Sequence, residues 1–226
     1  MPKAKINDVF VSIQGEGKYI SEPQCFIRFY GCNLNCGFCD TKISDFKQYS
    51  CEELLDELKR VISGRDIKTV SLTGGEPLLE RDFLLDFLPM LKRRGFKVYL
   101  ETNGVLHNEF FDVMDNVDVI AMDIKLPSST GQKGFWREHE EFLKAAANKD
   151  VFVKIIVCIN TTLDDLKQAI KLVSGINPKL TIVLQPNSQQ LGAELAAKLH
   201  EFKKYCRQHL SDVRSIPQLH KAIGVK

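Results

Sequence analysis

The stretch FIRFYGCNLNCGFCDT, residues 26–41, is the most informative part of this chain for its fold and its chemistry. The first five residues are apolar except for one arginine, which predicts a β-strand. The residues that follow place Cys32, Cys36 and Cys39 in a C-x3-C-x2-C pattern within one loop. Three thiolates can hold a four-iron cluster and leave one iron without a protein ligand. A metal position that stays open is a place for a reaction.

A zinc site is the alternative for these three cysteines. Structural zinc takes four ligands, and no fourth Cys or His lies near the triplet, since the next histidine is His107. A distant fourth ligand would still allow zinc, so this alternative stays open. The other four cysteines are scattered, and we predict that they are small buried apolar residues: Cys25, Cys51, Cys158 and Cys206.

Composition and charge narrow the class of protein. The chain has 226 residues, of which 44% are hydrophobic and 27% charged, as in a globular protein with a sizeable core. A net charge of +2 gives no reason to expect nucleic acid as a partner. No apolar run approaches a bilayer span, and residues 1–10 lack a signal-peptide core. We therefore expect a cytoplasmic protein in a reducing compartment, with no membrane partner.

Apolar runs alternate with helical periodicity along the chain, which predicts parallel strands joined by helices. Six such units are too few for a closed eight-stranded barrel. We predict an α/β fold, a partial (open) βα barrel of about six parallel strands in a single domain, 1–226. The predicted strands cover 26–30, 69–72, 97–100, 117–122, 151–156 and 180–184, with a short one at 213–216. The predicted helices cover 51–62 with Ser50 as N-cap, 82–94, 108–114, 138–147, 163–173 and 193–209.

Polar motifs follow several of these strands, at the ends where ligands gather in such folds. They are Gly74-Gly75-Glu76-Pro77, Glu101-Thr102-Asn103-Gly104, Asp123-Ile124-Lys125 and Gln185-Pro186-Asn187. Paired glycines let a ligand approach the backbone, and the glutamate after them offers a carboxylate to a cation. By itself this motif is equally typical of a tight turn with a solvated glutamate.

The cysteine loop, with Phe38 before its last cysteine, and the Gly-Gly-Glu-Pro turn together resemble the radical S-adenosylmethionine enzymes. The resemblance implies a [4Fe-4S] cluster bound by Cys32, Cys36 and Cys39. It also implies S-adenosylmethionine, which is cleaved to methionine and a 5′-deoxyadenosyl radical, so no catalytic side chain is assigned. The implied cofactor-binding residues are Phe38, Cys39, Asp40, Gly75, Glu76, Gly104, Asp123, Ile124, Lys125, Gln185, Pro186, Asn187 and Ser188.

A second set of residues narrows the resemblance. Gln14-Gly15-Glu16-Gly17, Arg28, Cys39-Asp40-Thr41 and the tail at 217–221 are similar to the 7-carboxy-7-deazaguanine synthase family. This implies ring contraction of 6-carboxy-5,6,7,8-tetrahydropterin to 7-carboxy-7-deazaguanine with loss of ammonia, in queuosine and 7-deazapurine biosynthesis. It also implies Mg²⁺, with Thr41 as a ligand. The implied substrate-binding residues are Ile13, Gln14, Gly15, Glu16, Arg28, Thr102 and His220.

The resemblance further implies a homodimer and an electron donor such as flavodoxin or ferredoxin. Two alternatives remain open at this point. An activase of a glycyl-radical enzyme would share the cluster loop and the Gly-Gly-Glu-Pro turn but would act on a large protein partner. A zinc-binding structural or interaction module would use the cysteines without a reaction.

Overall fold

The computed structural model describes residues 2–39 and 45–224, and every structural statement below concerns these residues. Their strands are β1 (Ala4–Ile13), β2 (Pro23–Phe29), β3 (Lys47–Tyr49), β4 (Thr69–Gly74), β5 (Lys97–Thr102), β6 (Val119–Asp123), β7 (Asp150–Val157), β8 (Thr181–Pro186) and β9 (Asp212–Ser215). Their α-helices are α1 (Cys51–Ile62), α2 (Arg81–Lys92), α3 (His107–Val113), α4 (Pro127–Thr130), α5 (Trp136–Ala146), α6 (Leu163–Ile176), α7 (Ala193–Cys206) and α8 (Leu219–Ile223). Short 3-10 helices cover Pro77–Glu80 and Met114–Asn116.

The strands of the described residues form one sheet in the order β3-β1-β2-β4-β5-β6-β7-β8-β9. From β2 to β9 every neighbouring pair is parallel, whereas β1 is antiparallel to both β2 and β3. The outermost strands, β3 and β9, do not pair with each other, so the sheet stays open. The predicted open α/β barrel is confirmed; its seven parallel strands are the six main predicted ones and the short predicted strand at 213–216, which pairs as β9.

The antiparallel strand β1 was not predicted. Its sequence, AKINDVFVSI, interrupts the apolar residues with Lys5, Asn7 and Asp8, so it shows neither an apolar run nor a clean alternation. The strand forms because residues from Ile6 to Ile13 pair with β2 in a long antiparallel ladder, which no local sequence pattern indicates.

The helices follow their predicted positions closely where the signals are local. Helix α1 has the predicted bounds, and Ser50 forms a capping box with Glu53. Helix α6 begins after Thr162, whose side chain accepts a hydrogen bond from the Asp165 amide. The short helices α4 and α8 were not predicted. None of the described helices is long and apolar enough to cross a bilayer.

Side chains from the two faces of the sheet enter two separate apolar clusters. The larger one packs the sheet against the helices, and Val98 and Leu100 of β5 belong to it. Tyr99, between them, belongs to a small cluster on the other face with Phe152 and Val183, as strand alternation requires. The four scattered cysteines are all buried, as predicted. The inner face is therefore apolar near the start of the strands, which leaves polar residues for their carboxyl ends.

Candidate active site

A cavity of about 420 Å³ lies over the carboxyl ends of the parallel strands. All three cysteines of the C-x3-C-x2-C loop line it, and so does Glu16 of the turn after β1. Its lining includes these other predicted site residues: Phe38, Gly75, Thr102, Asp123, Lys125, Gln185, Pro186, Asn187 and Ser188. The fold thus brings most of the predicted cluster, cofactor and substrate residues to one place.

The cysteine loop presents its thiols to this cavity. Cys32 and Cys39 are exposed and Cys36 is half-buried. N–H groups point at two of the sulfurs: the Leu34 amide lies 3.4 Å from Cys32 Sγ, and Gln132 Nε2 lies 3.6 Å from Cys36 Sγ. Such donors to sulfur stabilise thiolates and tune iron–sulfur clusters. The donor set therefore fits a cluster with three protein ligands.

Burial raises the pKa of the Cys32 and Cys36 thiols. Ligand binding through these sulfurs consequently releases protons. Among residues 2–39 and 45–224, no three His, Cys, Asp or Glu side chains converge as a single metal ion requires. A cubane cluster differs in this respect, because each of its cysteines binds a separate iron.

Gly75 holds the cysteine loop against β4. The Glu76 amide donates to the Gly31 carbonyl at 2.8 Å, and the Gly75 amide donates to the Phe29 carbonyl at 3.1 Å. A Cβ on Gly75 would lie 1.7 Å from the Gly31 oxygen, so no other residue fits without moving the backbone. The Gly-Gly pair therefore has a structural task besides any contact with a cofactor.

Glu76 is fully buried beneath the cavity rather than in its lining. Its carboxylate accepts hydrogen bonds from Thr102 Oγ1 at 2.9 Å and from the amides of Asn103 at 2.7 Å and Leu78 at 3.2 Å. Burial raises the pKa of Glu76 to about 7, against the opposing effect of these donors. The structure thus makes Glu76 the anchor of the Thr102-Asn103-Gly104 turn, and its contact with a cofactor ammonium stays a prediction.

Two other predicted cofactor residues are placed away from the lining. The Ile124 side chain is 1% exposed and packs in the main core, which leaves only its backbone for a ligand. Gly104 has a φ of +70°, and a Cβ there would meet Met122 and His139. The buried His139 ring hydrogen-bonds the Asn103 carbonyl at 3.1 Å, so this turn is held from below by α5.

The turn after β1 carries Glu16 into the cavity. Gln14 is buried, and its side chain accepts from the Glu16 amide at 3.1 Å and donates to Glu101 Oε1 at 2.9 Å. The backbone N–H and C=O of Gln14 are bonded to Glu22 and Ser21. Gln14 is therefore fixed by protein contacts, whereas the Glu16 carboxylate reaches the cavity.

Arg28 lies beside the cavity on β2. It is paired in register with Thr73, a lining residue of β4, and its guanidinium carbon is 5.2 Å from the centre of the Phe10 ring. The C-terminal segment brings His220 to the turn at residues 14–17, after β1. A Cβ on Gly15 would lie 2.1 Å from His220 Nδ1, and the Leu219 amide donates to the Gly15 carbonyl at 2.8 Å.

The sequence assigned no site role to several residues that the fold places here, among them Thr73, Glu101, Lys154 and Gln218, although Glu101 and Gln218 stand in motifs quoted above. For Lys154 the sequence did contain a signal, namely a single lysine inside the apolar run of β7. The structure shows that this lysine is buried. Gln218 lies in the tail that contributed to the resemblance, but a glutamine in a terminal segment does not by itself indicate a binding role. Asp40 and Thr41, predicted for the cofactor and for Mg²⁺, lie outside the described residues.

Charges on the inner face alternate in sign. Lys154 pairs with Glu16 Oε2 and lies 3.5 Å from Asp123 Oδ1, and Lys125 pairs with Asp123 Oδ2 at 2.7 Å. Burial alone would raise the pKa of Glu16, but the Lys154 ammonium and the hydrogen bonds from Lys154 and Gln218 lower it to about 2. Burial raises the pKa of Glu101. The site therefore holds one firmly ionised carboxylate beside one that binds a proton more readily.

The fold and the site together define an α/β enzyme of the partial-barrel type with a three-cysteine cluster loop. The sequence pattern of the Radical SAM superfamily matches residues 26–173. A 7-carboxy-7-deazaguanine synthase of Geobacter sulfurreducens is 37% identical over 99% of this chain and 98% of the relative. Another, of Clostridium acetobutylicum, is 34% identical over 97% and 95%. The crystal structure of QueE from Escherichia coli shares the fold, with a TM-score of 0.68 and 24% identity over 96% of this chain and 95% of that one.

The chain therefore belongs to the radical SAM superfamily and, within it, to the 7-carboxy-7-deazaguanine synthase family.

Proposed function

We propose that this protein converts 6-carboxy-5,6,7,8-tetrahydropterin to 7-carboxy-7-deazaguanine and ammonia, in queuosine and 7-deazapurine biosynthesis. The observation that carries the proposal is one cavity lined both by the three cysteines and by Glu16. Family membership supports this small-molecule reaction over the glycyl-radical activase and the zinc module that the motifs alone left open.

The cofactor side of the cavity suits a cluster and S-adenosylmethionine. When bound, these groups supply the radical that abstracts hydrogen from the substrate. Cys32, Cys36 and Cys39 would hold the cluster, with Asn103 Nδ2 3.8 Å from the Cys32 sulfur. The polar residues at the ends of β6 and β8, from Asp123 to Lys125 and from Gln185 to Ser188, would bind the nucleoside and exclude water.

The substrate side suits a flat ring with an acidic substituent. Ionised Glu16 would accept hydrogen bonds from the amino group and ring N–H of a pterin edge. The Arg28 guanidinium, which makes no ion pair with any residue in the described ranges, would take the substrate carboxylate. Thr102 and His220 would complete the pocket, together with the backbone at Ile13 and Gly15.

Three further features belong to this proposal. Mg²⁺ would bind the substrate carboxylate with Thr41, in the oxygen-rich shell that this ion prefers. The protein would act in the cytoplasm as a homodimer, and a flavodoxin or ferredoxin would deliver the electron. The composition and the family support these features, and light scattering and donor-dependent turnover would test the last two.

The test is anaerobic turnover of the reconstituted protein with 6-carboxytetrahydropterin, S-adenosylmethionine, reductant and Mg²⁺. We expect 7-carboxy-7-deazaguanine by mass spectrometry and a rate that depends on Mg²⁺. A Thr41→Ala variant should weaken that dependence. Protein carrying a full four-iron cluster that yields no such product would refute the proposal.

A further inference from the structure

Lys154 occupies an unusual place for a lysine. It belongs to none of the sequence motifs, and it lies within the apolar strand β7 with a side chain only 8% exposed. Its neighbours in the parallel ladder are Asp123 of β6 and Val183 of β8. Burying an ammonium costs free energy unless it is paired with a negative charge. The groups that pair with Lys154 therefore indicate its role.

The partners of Lys154 come from two different parts of the cavity. Its ammonium pairs with Glu16, in the turn after β1, and lies 3.5 Å from Asp123 Oδ1, at the end of β6. The Gln218 amide donates to the other Glu16 oxygen, Oε1, at 2.7 Å. Each Glu16 oxygen is thus held by one protein donor, which orients the carboxylate plane and leaves acceptor capacity for a ligand.

We propose that Lys154 is a positioning residue that holds Glu16 ionised and oriented for the donor edge of the substrate. This inference rests on the proposed function for the identity of the substrate. Lys154 need not touch the substrate, because it acts through the Glu16 carboxylate.

The other groups around Glu16 support this assignment. Asp123 and Glu101 bring negative charge from β6 and β5, and Tyr99 lies below on β5. His220, from α8, adds a weaker favourable effect on the ionised form. With Lys154 removed, a buried Glu16 would face two carboxylates without its main counterion, and its pKa would rise.

A double-mutant cycle on Lys154→Met and Glu16→Gln tests the inference by binding. The probe is 6-carboxypterin, an oxidised analogue with the same ring edge and carboxylate, titrated calorimetrically into the anaerobically reconstituted enzyme. Lys154→Met should weaken binding about tenfold or more, and KM should rise more than kcat falls. In the Glu16→Gln background the same substitution should change binding less than about twofold. Equal losses in both backgrounds would overturn the inference.

Matched variants separate positioning from loss of charge. Lys92→Met removes an ion pair with Asp118 at 2.6 Å outside the cavity and should leave the Kd unchanged. Lys154→Arg keeps the charge and should restore part of the affinity. The affinity of Lys154→Met should also fall at acid pH, where that of the wild type stays flat.

A stability measurement decides the inference even if the substrate proposal fails. In Lys154→Met the raised pKa of Glu16 makes the protein lose stability as pH rises, because the folded state then binds the proton more tightly than the unfolded state. The single variant should therefore melt lower at pH 8 than at pH 5, relative to wild type, and adding Glu16→Gln should remove that difference. No rescue by Glu16→Gln would refute the role of Lys154. Absence of wild-type turnover would instead refute the proposal that 6-carboxytetrahydropterin is the substrate.

Discussion

Gly75 and Gly31 meet backbone to backbone, and this contact joins the cysteine loop to the end of β4. A Cβ on Gly75 would overlap the Gly31 carbonyl, which also accepts the Glu76 amide hydrogen bond. A glycine at position 75 is thus required by packing before any ligand is considered. At the scale of single residues, the site depends on such contacts as much as on its charges.

Gly75→Ala should therefore displace the loop that carries Cys32. We expect cluster incorporation, measured as iron content and visible absorbance after reconstitution, to fall about tenfold, since an overlap of this size must move the backbone. Gly175→Ala, on helix α6, is the control because its added Cβ meets nothing within 4 Å. A Gly75→Ala protein with a normal iron content would show that the contact is dispensable.

His139 gives the protein a pH dependence. Burial lowers the pKa of His139 to about 4, because the enclosed ring favours the neutral form, and the hydrogen bond to the Asn103 carbonyl only partly opposes this shift. In the unfolded chain His139 binds a proton near pH 6.5, whereas in the folded chain it binds one only near pH 4. Stability from this group is complete above pH 6.5 and is lost as pH falls toward 4, by about 3 kcal/mol in all.

Replacing this histidine should remove the effect. His139→Gln keeps a donor for the Asn103 carbonyl, so its free energy of unfolding should fall less than that of the wild type between pH 7 and pH 4. Urea titrations at several pH values measure the difference. The exposed His200→Gln should follow the wild-type curve, and a His139→Gln curve parallel to the wild type would contradict the assignment.

At the scale of elements, helix α1 shows a signal that is fully local. The Ser50 hydroxyl accepts from the Glu53 amide at 3.2 Å, and the Glu53 carboxylate accepts from the Ser50 amide at 2.7 Å. Both partners are within one turn, so the sequence alone predicted the start of the helix.

Ser50→Ala should lower the free energy of unfolding by about 1 kcal/mol, because it removes the side-chain half of this capping box. Chemical denaturation of the purified protein gives the value. Ser63→Ala, at the exposed C-terminal end of the same helix, should change it by less than about 0.5 kcal/mol. Equal effects at the two ends would mean that the cap does not stabilise the helix.

At the scale of the whole molecule, the core and the cluster loop are separate. The main apolar cluster contains Cys25, Cys51 and Cys206 but none of the three loop cysteines. Stability therefore arises from the sheet and its helices, unlike in small domains that fold only around a metal.

A triple variant, Cys32→Ser, Cys36→Ser and Cys39→Ser, should lose its iron and all turnover. Compared with metal-free wild type, its thermal midpoint should move by only about 2 °C, because the three cysteines are exposed or half-buried and lie outside the core. The buried Cys206→Ala should instead cost about 1 kcal/mol or more, because it leaves a space in the core. A collapse of the triple variant would place the cluster loop within the folding unit.

The C-terminal segment packs against the turn at residues 14–17, after β1. Gln218 bonds Glu16 at 2.7 Å, Leu219 bonds Gly15 at 2.8 Å, and Lys221 bonds Ser188 at 2.8 Å. These contacts link the predicted substrate residues to the end of β8, while the main core contains none of the described residues after Val213.

Truncation after Ile216 should therefore weaken binding of 6-carboxypterin by about tenfold while the unfolding midpoint changes little. Calorimetry and thermal melts on the same samples measure both. Lys221→Ala alone should have a much smaller effect on binding. Unchanged affinity in the truncated protein would show that the segment does not contribute to the site.

The sequence by itself determined the βα order, the bounds of α1, the three-cysteine loop and the Gly-Gly-Glu-Pro turn. These follow from signals between residues that are close along the chain: periodicity, caps and ligand spacing. Only the tertiary structure decided that Glu76 is buried beneath the cavity, that β1 pairs antiparallel to β2, and that Lys154 meets Glu16 across 138 positions. Such contacts depend on which strands are neighbours and which face each side chain takes, and no local pattern encodes a charge pair between distant segments.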